Sequence, residues 1–398
     1  MARLPVIRLK PGRDKSLLRR HPWIFSGAIE QVEGEPDTGA TVEIRDHAGR
    51  MLALAAFSPH SQIRARVWSF EPRPIDGKFF SERIAEATAT RDGLIDREHT
   101  ACRLVHGESD GLPGLVADRY GDVVVMQLAS AGADHWRDPI VQGLAKATGA
   151  KAIVERSDAE VRTLEGLPPR VGIVHGTLDT PVTIREQGLA FAIDVIGGQK
   201  TGFFLDQRDN RARVRELAHR REVLDVFCYS GGFTLAALAG GARGVRAVDS
   251  SAAALAAAAR NLALNPNLEA QRVQWQEGDA FAVLRELAAA GERFGLIVLD
   301  PPKFAPTAAH AARAARAYKD VNLWALKLLA PGGVLATFSC SGGMPAELFQ
   351  KVVAGAAIDA GVDAAIVGRM SAGRDHPVGL AFPEGEYLKG LLVQKHDR

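Results

Sequence analysis

The sequence of 398 residues predicts an α/β protein. A doubly wound, Rossmann-like parallel sheet is expected over 196–398, preceded by a small β-barrel over 1–73 and a linker helix with a small central α/β domain over 74–195. Three observations carry this reading. Short apolar runs alternate with helical stretches from about 196 onward, which is how parallel sheets with crossover helices are built. Four of those runs stop abruptly in an acid: Asp225, Asp249, Asp279 and Asp300. The first 73 residues are instead cut by turn signals into short alternating strands.

In the N-terminal region the strands are Val6-Ile-Arg-Leu9, Thr41-Val-Glu-Ile44, Met51 to Phe57 and Ile63-Arg-Ala-Arg-Val-Trp68. Gly34, Pro36-Asp37-Thr-Gly39 and Asp46-His-Ala-Gly49 separate them. Alternation in the last run places Arg64, Arg66 and Trp68 on the face opposite Ile63, Ala65 and Val67. Glu71-Pro-Arg-Pro74 reads as a linker, and a helix is expected from about Gly77 to Leu94. The central region offers strands at Val123-Val-Val-Met-Gln-Leu128 and Ala152-Ile-Val154, with a helix between them from about Asp138 to Thr148. A hairpin, Val182-Thr-Ile-Arg185 and Leu189 to Ile193 around Gly188, leads into the last domain.

Net charge is +2, but residues 1–20 hold seven basic side chains against the single acid Asp14. That asymmetry points to an anionic partner, with Lys10, Arg13, Lys15, Arg19 and Arg20 as phosphate contacts, or to a solvated basic face. No apolar run reaches the roughly 18 residues of a membrane span, and Met1-Ala-Arg-Leu-Pro-Val-Ile-Arg8 lacks the apolar core of a secretory signal. The cysteines Cys102, Cys228 and Cys340 are dispersed, and the histidines show no metal-ligand spacing. A reducing cytoplasm and no metal are expected.

The loop after Asp225, Phe227-Cys-Tyr-Ser-Gly231-Gly232-Phe233-Thr234, lets backbone approach a ligand between strand and helix. Asp249 ends the next strand, where an acid accepts hydrogen bonds from ribose hydroxyls. These features alone fit NAD as well as S-adenosylmethionine. Asp279 and Ala280 close a third strand near an adenine, and Asp300-Pro301-Pro302 closes a fourth. The four acids in order resemble the motifs of class I S-adenosylmethionine-dependent methyltransferases. A helix cap is the alternative for any one of them.

Val334-Leu-Ala-Thr-Phe338 runs into Ser339-Cys340-Ser341. A thiolate that adds to C6 of a pyrimidine makes C5 nucleophilic, and Cys340 is the candidate because Cys228 sits in the cofactor loop and Cys102 outside the last domain. An unperturbed thiol is only a few per cent ionised at neutral pH, so the site must favour the thiolate. Asp300 is placed to bond the N3/N4 edge of cytosine, and Lys303 to neutralise a phosphate or steady the thiolate. Methylation of guanine or of an exocyclic amino nitrogen is the second reading, weakened by Lys303 where such enzymes place an aromatic residue. A non-catalytic ribosome-assembly factor is the third, and it would predict eroded cofactor acids.

The chain resembles the 23S ribosomal RNA cytosine-5 methyltransferases that carry an N-terminal PUA domain. The resemblance rests on Arg19-Arg-His-Pro-Trp23-Ile-Phe-Ser-Gly-Ala28, Ser61 to Trp68, Gly107-Glu-Ser-Asp-Gly-Leu-Pro-Gly114 and Gly198-Gln199-Lys-Thr201-Gly-Phe-Phe-Leu-Asp-Gln-Arg208. Asp300-Pro-Pro-Lys-Phe304, Tyr318-Lys-Asp-Val-Asn322, Ser339-Cys-Ser341 and Asp375-His-Pro377 complete it. It implies Cys340 as nucleophile, S-adenosyl-L-methionine as cofactor and Gln199 and Thr201 in a segment closing over its methionine end. Ser230, Gly231, Gly232, Phe233 and Pro301 join the cofactor set, and Arg64 and Arg66 join the RNA contacts. The implied substrate is 23S ribosomal RNA, naked or in a partly assembled large subunit, and the protein is expected to be cytoplasmic, with no membrane association and with a homodimer as the candidate assembly. One departure stands out: many RNA cytosine-5 methyltransferases carry a second cysteine beside the fourth-strand proline, whereas here Lys303-Phe304 follow Pro302.

Overall fold

The computed structural model describes residues 4–304 and 311–396; Arg3, counted above among the basic residues, lies outside them. The chain forms two compact units, one of Met1–Arg185, Ile193–Leu205 and Arg374–Gly385, the other of Glu186–Ala192, Asp206–Gly373 and Glu386–Arg398.

In the first unit a six-stranded sheet runs in the order Trp23–Phe25, Ile63–Ser69, Met51–Phe57, Thr41–Arg45, Val6–Leu9, Ile29–Glu33. Ile7, Ile24, Val42, Ile44, Ala65 and Val67 form its core. A five-stranded sheet follows in the order Arg170–Gly176, Ala152–Ser157, Val123–Leu128, Leu115–Tyr120, Ala101–His106. The helices Gly77–Ala89 and Arg137–Thr148 bury Phe79, Phe80, Ile84, Ile140 and Leu144 in its core. The first helix starts where Asp76 accepts the Phe79 N–H at 3.0 Å, an ordinary N-cap.

By compactness, the regions drawn from the sequence as 1–73 and 74–195 fall largely in one unit. The reason is physical. Ala56 and Trp68, from the first sheet, are buried in the same apolar cluster as Phe79, Phe80 and Ile84. Arg374–Gly385 also belongs here rather than with the last domain: Asp375 accepts the Arg103 N–H at 2.9 Å, and its carbonyl accepts Arg91 at 3.1 Å.

The second unit is built on seven strands, numbered β1 (Glu222–Val226), β2 (Gly244–Asp249), β3 (Val273–Glu277), β4 (Phe294–Leu299), β5 (Leu329–Ser339), β6 (Ala364–Ser371) and β7 (Lys389–Lys395). Their order in the sheet is 3-2-1-4-5-7-6, parallel except for β7, which runs antiparallel between β5 and β6. Strands covered on both faces read as unbroken apolar runs, and Leu296-Ile-Val-Leu299 is fully buried. The order reverses between β1 and β4, so a crevice opens at their carboxyl ends. That position brings the glycine loop after β1 and Asp300-Pro301 to one place. The five strands read from the sequence each lie inside β1–β5, and β6 and β7 are additions.

Candidate active site

The loop from β1 to the helix Gly232–Ala239 holds three left-handed residues, Phe227 (φ 66°), Tyr229 (φ 47°) and Gly231 (φ 82°). Non-glycine residues in that region cost of order 1–3 kcal/mol each, and here surrounding hydrogen bonds hold them. Phe227 and Cys228 N–H both donate to the Val248 carbonyl at 2.9 and 3.0 Å. Asp249 Oδ2 accepts the Tyr229 N–H at 2.9 Å, and Asn261 Nδ2 donates to the Ser230 carbonyl at 2.9 Å. A side chain at Gly231 would be crowded, since a Cβ there would lie 3.0 Å from Ala258 Cβ. Phe233 stacks on Phe338 with ring centres 5.6 Å apart.

The acids at the strand ends divide by role. Asp249 is half-buried and takes one backbone N–H on each oxygen, Tyr229 and Ser251. A carboxylate has about four acceptor sites, so it keeps capacity for a ribose diol. Asp279 is exposed and caps the helix Ala280–Ala289 by accepting Ala282 N–H at 3.0 Å. Asp225 is fully buried and accepts Thr234 Oγ1 at 2.6 Å, while its Oδ1 has no hydrogen-bond partner among the described residues. Burial pushes its carboxyl up to about 7, against the lowering effect of Thr234. Asp225 therefore braces the loop from beneath, a correction to its placement among the cofactor contacts. The same burial drives the Cys228 thiol far up, with Asp225 and Asp249 adding to it, so Cys228 stays protonated.

Cys340 follows β5 directly and is half-buried. Its two neighbours, Ser339 and Ser341, are fully buried and share one anchor. Ser339 Oγ donates to Tyr318 Oη at 3.0 Å, and Tyr318 Oη lies 3.0 Å from Ser341 Oγ. Burial raises the Tyr318 phenol despite its bonds to the two serines, and charge on Cys340 and Asp300 adds to the rise. The thiol, the β4 carboxylate and the tyrosine thus occupy one neighbourhood, which spacing in the sequence only suggested. After β4, Pro301 is buried and Lys303 exposed, while Phe304 packs on Tyr318 with ring centres 4.9 Å apart. Sequence reasoning missed Lys389, whose Nζ donates to the Ser341 and Met344 carbonyls at 2.8 Å. The signal for it was thin: one lysine opening the apolar run Gly390-Leu-Leu-Val393.

Gln199 and Thr201 belong to the first unit. Gln199 is exposed. Thr201 is buried, donating to Asp118 Oδ2 at 2.6 Å with Tyr120 Oη 2.9 Å away. The threonine side chain anchors its segment rather than opening toward a ligand. Among the expected RNA contacts, Lys10, Arg13, Lys15, Arg19 and Arg20 are exposed. Arg64 is half-buried and donates to the Pro59 carbonyl. Arg66 is buried, with Nη1 2.8 Å from Glu165 and Nε 3.8 Å from Glu108, so it is an internal ion pair and not an RNA contact. Arg66 and Trp68, on the face opposite Ala65 and Val67, are both buried. Trp23 is half-buried, donating Nε1 to Glu108 at 2.8 Å and packing edge-on against Phe382.

Known proteins share this architecture. A profile described as a PUA-like domain matches residues 7–70, and one described as an S-adenosylmethionine-dependent methyltransferase matches 172–358. The ribosomal RNA large subunit methyltransferase I of Shewanella amazonensis is 51% identical over 391 residues, covering 98% of each chain. That of Aeromonas salmonicida is 52% identical over 391 residues, with the same coverage. The chain belongs to the ribosomal RNA large subunit methyltransferase I family. In solved structures the fold recurs in a putative SAM-dependent methyltransferase from Streptococcus mutans, with TM-score 0.84, 20% identity and coverage of 98% of this chain and 99% of that one. It recurs again in a putative methyltransferase complexed with SAH, with TM-score 0.84, 20% identity and coverage of 99% and 100%. Membership makes S-adenosylmethionine the cofactor of this methyltransferase. The residues present fit it: a glycine cradle that a Cβ would fill, a first helical turn with no side-chain cap, and an acid with spare acceptors at the end of β2. Among the described residues no helix is long and apolar enough to cross a membrane.

Proposed function

We propose that this methyltransferase modifies carbon-5 of a cytosine in 23S ribosomal RNA, through covalent addition of Cys340 to C6 of the base. The observation behind this reading is the braced thiol at the end of β5, in the same neighbourhood as Asp300. S-adenosylmethionine supplies an electrophilic methyl group. The Ser230 to Phe233 backbone would hold its methionine end, Asp249 its ribose, and the Asp279-Ala280 turn its adenine.

The chain's own residues perform the rest. Asp300 accepts from the N4 amino group and, in its protonated form, donates its O–H to N3; that proton on N3 draws electron density from the ring, which favours attack at C6. The Cys340 thiolate forms the Sγ–C6 bond, and the electron pair displaced from the C5–C6 double bond makes C5 nucleophilic. Once C5 bears the methyl, loss of its proton returns that pair to the ring and breaks the Sγ–C6 bond. No second cysteine follows Pro302, so release does not draw on a second thiol there. Lys10, Arg13, Lys15, Arg19 and Arg20 give the RNA backbone a basic face, and the enzyme acts in the cytoplasm on naked RNA or an assembling subunit.

The test is methyl transfer from labelled S-adenosylmethionine to unmethylated ribosomal RNA, followed by nucleoside analysis. The expected product is 5-methylcytosine. A methylated guanine or exocyclic amine would sink this reading in favour of amino or purine methylation.

A further inference from the structure

Lys389 opens β7 directly opposite Ser339, the last residue of β5. Its Nζ donates to the carbonyls of Ser341 and Met344, each at 2.8 Å. The Ser341 carbonyl also accepts the Met344 N–H at 3.0 Å, so the turn that follows the thiol is closed twice. Two of the ammonium's three donors are committed to these carbonyls, and an ammonium has no acceptor of its own. Ser341 and Met344 are fully buried. The turn is therefore fixed from below by Lys389, while Tyr318 fixes the serines on either side of Cys340.

Among the described residues, the charged groups that act on Lys389 come from three places: Cys340 after β5, Glu386 before β7 and Lys303 after β4. Burial lowers its ammonium, and Lys303 acts in the same sense, while negative charge on Cys340 and Glu386 opposes them. The attraction between thiolate and ammonium is mutual.

We propose that Lys389 is a positioning residue for the nucleophile: it closes the turn behind Cys340 and keeps a positive charge beside the thiolate. This rests on Cys340 being the nucleophile. A cation held against the carbonyl of the residue next to a cysteine favours that thiol's ionised form, so the enzyme gains the fraction of thiolate that a free cysteine lacks at neutral pH.

The test uses the full-length protein without RNA. Alkylation of Cys340 by iodoacetamide is followed by peptide mass spectrometry across the neutral to alkaline range. The parent midpoint should lie below the ~8.5 of a free thiol. Lys389→Met should raise that midpoint by about one unit, slowing alkylation roughly tenfold at neutral pH. Lys389→Arg should stay close to the parent. A Met profile that superimposes on the parent, or an Arg variant displaced as far as Met, overturns the proposal. If Lys389→Met does not fold, the parent decides, because a midpoint at or above ~8.5 overturns it as well. Alkylation needs no substrate, so a nucleoside product other than 5-methylcytosine would remove the cytosine reading while this profile still judges Lys389.

Discussion

At the scale of single residues, the proposed chemistry turns on which of three thiols can ionise. Cys102 and Cys228 are buried, and Cys340 is the half-exposed one. Cys340→Ser should therefore reduce methyl transfer by roughly 10³-fold or more and abolish the adduct that 5-fluorocytosine RNA is expected to form. An adduct on gel electrophoresis that survives the substitution would move the nucleophile elsewhere. Asp225 gives a second residue-level prediction. Its carboxyl rises in the fold from its ordinary 3.8 to about 7 because it is buried. The folded state thus prefers the protonated acid: this contribution to stability is complete below pH 3.8 and is lost as pH rises toward 7. Asp225→Asn should remove that slope, seen as a Tm that no longer falls between these pH values because of this group. A parallel fall in both proteins would show that Asp225 does not titrate there.

At the scale of elements, the proposed site is two strand ends and the loops that leave them. Gly231 holds a left-handed backbone in contact with Ala258 and Leu235, so Gly231→Ala meets both conformational and steric strain. It should cost about 1–3 kcal/mol of stability and weaken binding of S-adenosylhomocysteine in a calorimetric titration. Unchanged affinity would show that the loop does not cradle the cofactor. At the other strand end, Tyr318→Phe strips the shared partner from the Ser339 and Ser341 hydroxyls, at about 1–3 kcal/mol. If Tyr318 fixes the thiol, kcat should fall more than KM rises.

At the scale of the whole molecule, basic residues fall into two populations that the sequence does not distinguish. Arg66 is enclosed with Glu165. Burial alone would raise the Glu165 carboxyl, but Arg66, Ser58 and Ala131 together hold it below the usual value. Arg66→Met leaves that carboxylate buried without its cation and should destabilise the protein by about 3–5 kcal/mol, measured by denaturant unfolding. Arg19 and Arg20 are exposed, and changing both to Ala should weaken RNA binding and lower the salt slope by about 2 while leaving cofactor affinity intact. An unaltered salt slope would make the basic N-terminus a solvated face.

What the sequence determined by itself is periodic or punctuated. Parallel strands buried on both faces must be apolar throughout, so β1, β4 and β5 announce themselves, and an acid or thiol at the end of such a run marks a crevice. The positions of the glycine loop, Asp249, Asp300 and Cys340 at strand ends were legible for that reason, as were the turn-cut strands of the N-terminal sheet. Tertiary structure decided what depends on the other side of each element. Alternation assigned Arg66 and Trp68 to one face correctly, but only packing showed that this face is also covered. Asp225 and Asp249 look alike in sequence, and burial separates the enclosed Asp225 from the half-exposed Asp249. Lys389 lies 49 positions after Cys340, and only the antiparallel register of β7 on β5 brings its ammonium to the turn behind the thiol. Local pattern encodes which face a residue takes, whereas burial and charge are set by what the rest of the chain lays against that face.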